Sequence, residues 1–399
     1  MKRIYIVGTA DTKAAELVFL KQLVETAGAT AVVVDVGTRP SPIAADITAQ
    51  DVARAHPQGT DAMFGSQDRG AAVSAMAAAF RYFALTLDDV HGIIGIGGSG
   101  GTAIVTAGMR ELPIGVPKIM VSTLASGDVA PYVDVSDIIM MPAVTDLSGL
   151  NDISRIILTN AAVSVVAMAN APRPPSSGKP ALGLTMFGVT TTAVTQIVQR
   201  LESENDCLVF HATGTGGRTM EKLAASGMLR GLVDITTTEI CDFLFGGVLA
   251  ATEVRLDVVA ATGLSYVGSV GALDMINFWA PDTMPVAYRD RLMYRHDANV
   301  TLVRTTVDEN RQLGAWIGNK LNRCTGKLRF LIPEHGVSAL DIEGGPFFDP
   351  AADAALFDAI EEAVTWSDQR RLIRLPCHIN DPAFADAVAL HWHDIADRT

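Results

Sequence analysis

Basic charge is scarce in this chain. Across 399 residues, 31 lysines and arginines stand against 44 aspartates and glutamates, a formal net charge of −13 at pH 7. Nucleic-acid binding needs clustered cations that displace counterions, so no nucleic-acid partner is expected. A small anion is still allowed, because a local nest of backbone N–H groups binds phosphate even in an acidic protein. Cysteine is scarcer. Cys207, Cys241, Cys324 and Cys377 are scattered, with no C-x-x-C pair. That argues against a disulfide framework or zinc knuckle and for a reducing, cytoplasmic setting. No run offers the roughly 20 apolar residues of a membrane span, and the apolar start meets Asp11 and Lys13 too soon for a signal peptide. No membrane partner is expected. Neither G-x-x-x-x-G-K-[ST] nor H-E-x-x-H occurs, which removes a Walker loop and a zincin site.

What the chain does have is apolar strands and glycine. With 49% hydrophobic and 19% charged residues, it can bury a sizeable core and has little capacity for long disorder. Strand-like runs alternate with helical patterns: RIYIVG (3–8), a helix over 12–26, AVVVDVG (31–37), an Ala-rich helix over about 70–85, GIIGIG (92–97), a helix over 102–110, VPKIMVS (116–122), and a long helix over 153–170. APRPPSSGKP (171–180), with four prolines, is the best linker. The alternation then restarts with ALGLTMFG (181–188), a helix to about residue 204, CLVFHATG (207–214), a helix over 218–225, strands near 300–304 and 328–332, and a C-terminal amphipathic helix over 383–398. The expectation is an α/β protein. Two doubly wound, mainly parallel-sheet, Rossmann-like domains (1–175 and 176–399) would leave a ligand cleft between them.

Four unusual turns follow strands: GTADTK (8–13), GIGGSGGT (95–102), TMFGVTT (185–191) and HATGTGG (211–217). Ligands of open α/β sheets sit at strand carboxyl ends. Glycine lets backbone approach a ligand, and the following helix N-terminus offers free N–H groups. Turns poor in bulky side chains suit an extended polyanion such as a nucleotide triphosphate. The second turn reads three ways. As G-x-G-x-x-G it is a dinucleotide fingerprint, but the next strand ends in Ser122 and Thr123 rather than an acid. As G-x-S-x-G it is a nucleophile elbow at Ser99, for which Asp341 and His378 would be downstream partners. As strand–glycine–helix it is a phosphate cradle. The forms IIGIGGSGGT and VFHATGTGGRTM are alike, and convergent turn chemistry comes ahead of duplication as the explanation.

Three residues are candidates for chemistry. His211 ends a strand before a glycine turn and can act as acid or base near neutral pH. Glu239 and Asp242 in TTTEICD lie three apart at a helix start, a placement fit for Mg²⁺ beside phosphates or for plain helix capping. Cys241 lies between them, where neighbouring carboxylates oppose a thiolate. Asp274, Asn277 and Asp282 form a polar cluster, for substrate or for turns. His378, Asn380 and Asp381 read as a turn and N-cap. His391 and His393, two apart on a helix, point to different faces.

GTADTK, GIGGSGGT, LTMFGVTT, FHATGTGGRTME, TTTEICDFLFGG, GALDMINFWAPDT, GVSALDIEGGPFFDP and HINDPAFAD occur in this order. Together they resemble the uncharacterised family related to the ATP-binding domain of the tomato mosaic virus resistance protein. The resemblance implies two α/β subdomains, ATP with Mg²⁺, and a homodimer. Its implied phosphate contacts are Thr9, Asp11, Thr12 and Lys13; Gly98, Ser99, Gly100, Gly101 and Thr102; Gly188, Val189, Thr190 and Thr191; and Gly214, Thr215, Gly216 and Gly217. The expected function is ATP-dependent action on an unidentified small metabolite, by phosphoryl transfer or activation. The alternatives are a serine hydrolase or acyl transferase using Ser99, and a non-catalytic ATP-stabilised dimer. The chain departs from the resemblance at Glu334 and His335, just before GVSALD, and at Trp279 within NFWAPDT.

Overall fold

The computed structural model describes residues 2–64, 68–173, 175 and 178–396. Pro174, Ser176 and Ser177 of the linker, and residues 397 and 398 of the C-terminal helix pattern, lie outside the described residues. The chain divides into two compact units, Met1–Pro174 and Pro175–Thr399.

Unit 1 holds five strands: β1 (Arg3–Gly8), β2 (Thr30–Asp35), β3 (Gly92–Gly97), β4 (Lys118–Ser122) and β5 (Ile138–Pro142). They run parallel in the order β2-β1-β3-β4-β5. β1, β3 and β4 are buried almost throughout, as expected for strands covered on both faces. The covering helices are α1 (Ala10–Thr26), α2 (Arg69–Ala84), α3 (Ser99–Met109) and α4 (Asp152–Asn170). α2 starts at Asp68, whose carboxylate accepts from Gly70 N at 2.7 Å. It buries Ala72, Met76, Ala79 and Phe80 on one helical stripe. Gly108 of α3 has no room for a Cβ against the Phe80 ring, so the two helices approach closely. α4 opens with an Asn151–Ser154 capping box and buries Leu158, Ala161, Ala162, Val165 and Val166.

Contrary to the sequence expectation, α4 is long and apolar enough to cross a membrane by length and composition. Its buried stripe belongs to the core around Ile4, Ile94 and Ile119, and a core helix passes the same test.

Unit 2 carries a six-stranded parallel sheet of β6 (Ala181–Met186), β7 (Asp206–His211), β8 (Gly231–Thr236), β9 (Ser265–Gly271), β13 (Leu328–Pro333) and β14 (Arg370–Leu375). A small antiparallel sheet, β10 (Met275–Phe278), β11 (Met293–Arg295) and β12 (Thr301–Arg304), is inserted before β13. The main order, β14-β13-β9-β8-β6-β7, repeats that of unit 1 with one strand added: the second strand lies outside the first, and the third lies on its other side. The longer helices are α5 (Thr191–Leu201), α6 (Thr215–Ala225), α7 (Glu239–Phe245), α8 (Val307–Asn322), α9 (Pro350–Ala363) and α10 (Pro382–Ile395), with a shorter one at Asp257–Thr262. One core forms around Tyr266, Phe330 and Leu356, and another around Val267, Phe384 and Trp392.

Candidate functional site

In unit 1 the chain reverses its winding between β1 and β3, the switch point where doubly wound sheets hold ligands. A cavity of about 260 Å³ opens there, lined by Thr9, Asp11, Thr12 and Lys13 after β1 and by Gly98, Ser99, Gly100 and Gly101 after β3. Thr38, Arg39, Arg69, Val73 and Ile104 complete it. Eight of these residues belong to the two turns that the sequence singles out. The sequence reading missed Thr38 and Arg39, on the loop after β2, and Arg69, on the first turn of α2, because no local motif marks them.

The glycines separate by cause. A Cβ at Gly97 would sit 2.8 Å from Gly101 C, and one at Gly95 would collide with Val105 and Met120. Those two let strand and helix pack. By contrast, a Cβ at Gly98, Gly100 or Gly101 would meet nothing closer than 3.7, 3.5 and 3.6 Å, and none of the three has positive φ. Nothing in the fold demands glycine there; room above the backbone is what these positions provide.

The electrostatics are asymmetric. At α3 the N-cap Gly98 has no side chain to offer, and Thr102 N is the first amide to bond back, to Gly98 O at 2.8 Å. The Ser99, Gly100 and Gly101 amides remain for a ligand, at the positive end of the helix dipole. At α1 that end is already taken. Asp35, paired with Gly8 across the strands, accepts from Ala10 N at 2.9 Å and Gly37 N at 2.7 Å. Burial raises the Asp35 pKa despite these two bonds, and Asp11 beside it raises it further. Lys13, Arg39 and Arg69 have no ion pair among the described residues. The Thr9 and Thr12 hydroxyls bond one another at 2.8 Å.

Several expected contacts lie elsewhere. Thr102 is fully buried, its hydroxyl 2.7 Å from Ser122 Oγ, and it is not among the residues that line this cavity. In unit 2, Gly188 and Thr191 are exposed, and Gly188 faces open space. Val189 and Thr190 are turned inward: Val189 O accepts from Ala339 N and Asn380 Nδ2, and the Thr190 hydroxyl lies 2.7 Å from that of Thr236. Thr185 donates to Asp234 at 2.6 Å. Hydroxyls of the protein thus bond one another across the crevice between β6 and β8, the counterpart of the unit 1 switch point.

The turn after β7 is corrected most. Thr215 is exposed, but a Cβ at Gly214 would strike Ala250 O, one at Gly216 would strike His211 O, and one at Gly217 would strike Glu239 Oε1. Gly214 also has φ +79°. These glycines admit other parts of the protein.

Glu239 and Asp242 are fully buried and turned to the same purpose. Glu239 accepts from Gly214 N at 2.7 Å and pairs with Arg255 at 2.5 Å. Arg255 also holds Glu221 and Asp234, each at 2.8 Å. Asp242 accepts from Asn277 N, Asn277 Nδ2 and Leu249 N, and burial lifts its pKa to about 7. Neither carboxylate is placed to take Mg²⁺, and no metal-binding group of three or more His, Cys, Asp or Glu occurs among the described residues. His211 stays exposed, its ring 5.3 Å from that of Phe187.

Cys241 is buried, and burial ahead of Asp242 pushes its thiol well above the usual range. Asp274 accepts from Ser338 Oγ at 2.8 Å, and Asn277 serves Asp242, so both are internal.

The nucleophile elbow lacks its partners. The cavity around Ser99 is lined by no histidine. His378 Nε2 lies 2.8 Å from Ser338 O, and its Nδ1 accepts from Asn380 N. Asp341 accepts from Val337 N. Both are committed internally, Asp341 to the loop after β13 and His378 to that loop and the turn before α10.

Comparison with known proteins finds matches along both units. Residues 2–174 match the N-terminal domain, and residues 179–396 the C-terminal domain, of the uncharacterised protein family UPF0261. A UPF0261 protein of Rhizobium meliloti is 64% identical over 397 residues, with 100% of both chains covered. One of Clostridium tetani is 43% identical, with 97% of each chain covered. The ToMV resistance protein Tm-1 of Solanum lycopersicum is 37% identical over 423 residues; the match covers 100% of this chain and 56% of the plant protein.

Proposed function

We propose, for a chain that belongs to the UPF0261 family through both of its units, that it binds ATP by the polyphosphate and acts on a small metabolite. One observation carries the reading: Gly98, Gly100 and Gly101 each leave room for a Cβ in ordinary contact, so packing does not demand glycine there, and the Ser99, Gly100 and Gly101 amides are uncommitted, with Lys13, Arg39 and Arg69 around them. That is the chemistry of a phosphate cradle. The cavity is below the roughly 300–1,000 Å³ of a typical small-molecule cleft, so it takes the phosphate chain rather than a whole nucleotide. Transfer or activation at such a site works by positioning and charge neutralisation, without a covalent nucleophile. Of the acid–base candidates, His211 alone keeps an accessible ring.

Calorimetric titration with ATP, ADP, NAD and NADP, each with and without Mg²⁺, tests this. ATP is expected to bind selectively, and Lys13→Ala or Arg69→Ala to weaken it by roughly tenfold, about 1.4 kcal/mol. Selective NAD binding would restore the dinucleotide reading. Silence from all four, with serine-probe labelling at Ser99, would restore the elbow. Tight ATP binding without turnover would favour the interaction module.

A second copy of the chain is the expected partner, and α4 supports it. Ile153, Ile156, Asn160, Val163 and Ala167 are all exposed, at the alternating three-and-four spacing of a coiled-coil seam. In an antiparallel two-fold pair, Ile153 meets Ala167, Ile156 meets Val163, and Asn160 meets itself. Ile156→Glu is expected to shift sedimentation from dimer to monomer; an unchanged dimer would remove α4 from the interface.

A further inference from the structure

We infer that Asp11 anchors a divalent cation that enters the cavity on the phosphate chain, an inference that rests on the polyphosphate reading above. Asp11 lines the cavity, yet its Oδ1 is buried with no hydrogen-bond partner. Buried carboxylate oxygens are ordinarily paired, since leaving one without a donor is costly. The neighbourhood makes the deficit worse. A Cβ built on Gly37 would lie 3.0 Å from Asp35 Oδ1 and 3.2 Å from Asp11 Oδ1, so two carboxylates crowd one glycine. The backbone donors there go to Asp35, through Ala10 N and Gly37 N. Lys13, two residues on, also lines the cavity but makes no ion pair with Asp11 among the described residues.

A ligand can supply the missing positive charge. The Thr9 and Thr12 hydroxyls sit on the same turn, also in the lining, and are neutral oxygens. One carboxylate, neutral oxygens, water and phosphate oxygens make up the shell that Mg²⁺ takes in polyphosphate sites; it keeps several waters and leans on few protein ligands. The cation would bridge the acidic face of the cavity to the phosphates held by the α3 amides. This also assigns Mg²⁺ away from Glu239 and Asp242, which the fold has committed internally.

The test is ATP affinity by calorimetry, in Mg²⁺ and in EDTA, for the full chain and for Asp11→Asn, which keeps the side-chain shape. Wild type is expected to bind ATP more tightly with Mg²⁺. Asp11→Asn is expected to bind ATP in EDTA no more weakly than wild type, because a carboxylate beside the phosphates is gone, and to lose roughly tenfold or more of the Mg²⁺-dependent gain. Its thermal midpoint without ligand, expected to be unchanged or higher, separates this from misfolding. An equal Mg²⁺/EDTA ratio in the two proteins, or a wild type indifferent to Mg²⁺, overturns the inference while leaving ATP binding intact. Absence of ATP binding in both buffers overturns the polyphosphate reading itself.

Discussion

Two glycine-rich turns that look alike in sequence, Gly97–Gly101 and Gly214–Gly217, are opposites in structure. In unit 1, three glycines stand where a Cβ would fit without a clash, beside free amides. In unit 2, all three glycines make way for protein: Ala250 O, His211 O and Glu239 Oε1 occupy the places where side chains would be. The strand order explains why. β3 is the third strand of unit 1 and borders the switch point, whereas β7 is the second strand of unit 2 and lies at the sheet edge. The true counterpart of β3 is β8, which ends at Thr236 and is followed by Glu239. A glycine turn thus acquires its meaning from its place in the sheet, and the likeness of the two motifs is convergent.

The sharpest way to break this contrast is Gly217→Ala. The added methyl must displace the Glu239 carboxylate from its buried network, and a loss of roughly 3–5 kcal/mol is expected. All four tryptophans of the chain, Trp279, Trp316, Trp366 and Trp392, lie in unit 2, so urea unfolding followed by their fluorescence reads that unit alone. A midpoint equal to wild type would mean that the turn is as open as its unit 1 counterpart.

Arg255→Met comes next. It strips the cation from Glu221, Asp234 and Glu239, and breaking a buried pair from one side costs about 3–5 kcal/mol. The same tryptophan signal measures it. A variant as stable as wild type would show that the three acids share protons without the guanidinium.

A smaller effect is pH dependence. Burial holds the Asp242 pKa at about 7, up from the ordinary 3.8, so between these values the native state keeps a proton that the unfolded chain releases. Stability from this group is full below about pH 4 and falls as pH rises toward 7, by at most about 1.4 kcal/mol per pH unit. Asp242→Asn should flatten the slope of unfolding free energy between pH 5 and 7. An unaltered slope would assign the titration elsewhere.

The smallest stability effect belongs to Gly100→Ala, within about 0.5 kcal/mol, since the nearest atom to its Cβ is 3.5 Å away. Calorimetry with ATP should nonetheless show weakened binding. Unchanged affinity would mean that no ligand uses that space.

The parts of the molecule legible in sequence are those set by local chemistry. The continuous apolar runs became β1, β3, β6 and β13, and the turns after β1 and β3 supplied most of the cavity. The helices α3 and α6 begin at Ser99 and Thr215, three residues before the expected starts, because glycine's poor helix propensity hides a first turn whose amides need no partner within the helix. What depended on distant residues was not legible. Glu239 meets Arg255 16 residues on, and Asp242 meets Asn277 35 residues on. Arg39 and Arg69 reach the cavity from elements that carry no motif. The β10–β12–β11 sheet was read only in part, as a strand near 300–304.

The Arg255 network also sets a timetable. During synthesis, Glu221, Asp234 and Glu239 leave the ribosome before the arginine that neutralises them. Until Arg255 arrives, β6, β7 and β8 can collapse only around uncompensated acids. The first half of unit 2 is therefore expected to wait for Arg255 rather than consolidate strand by strand behind the ribosome. A nascent chain arrested before Arg255 is expected to stay protease-sensitive throughout this region, and one arrested well beyond it to become resistant in a single step.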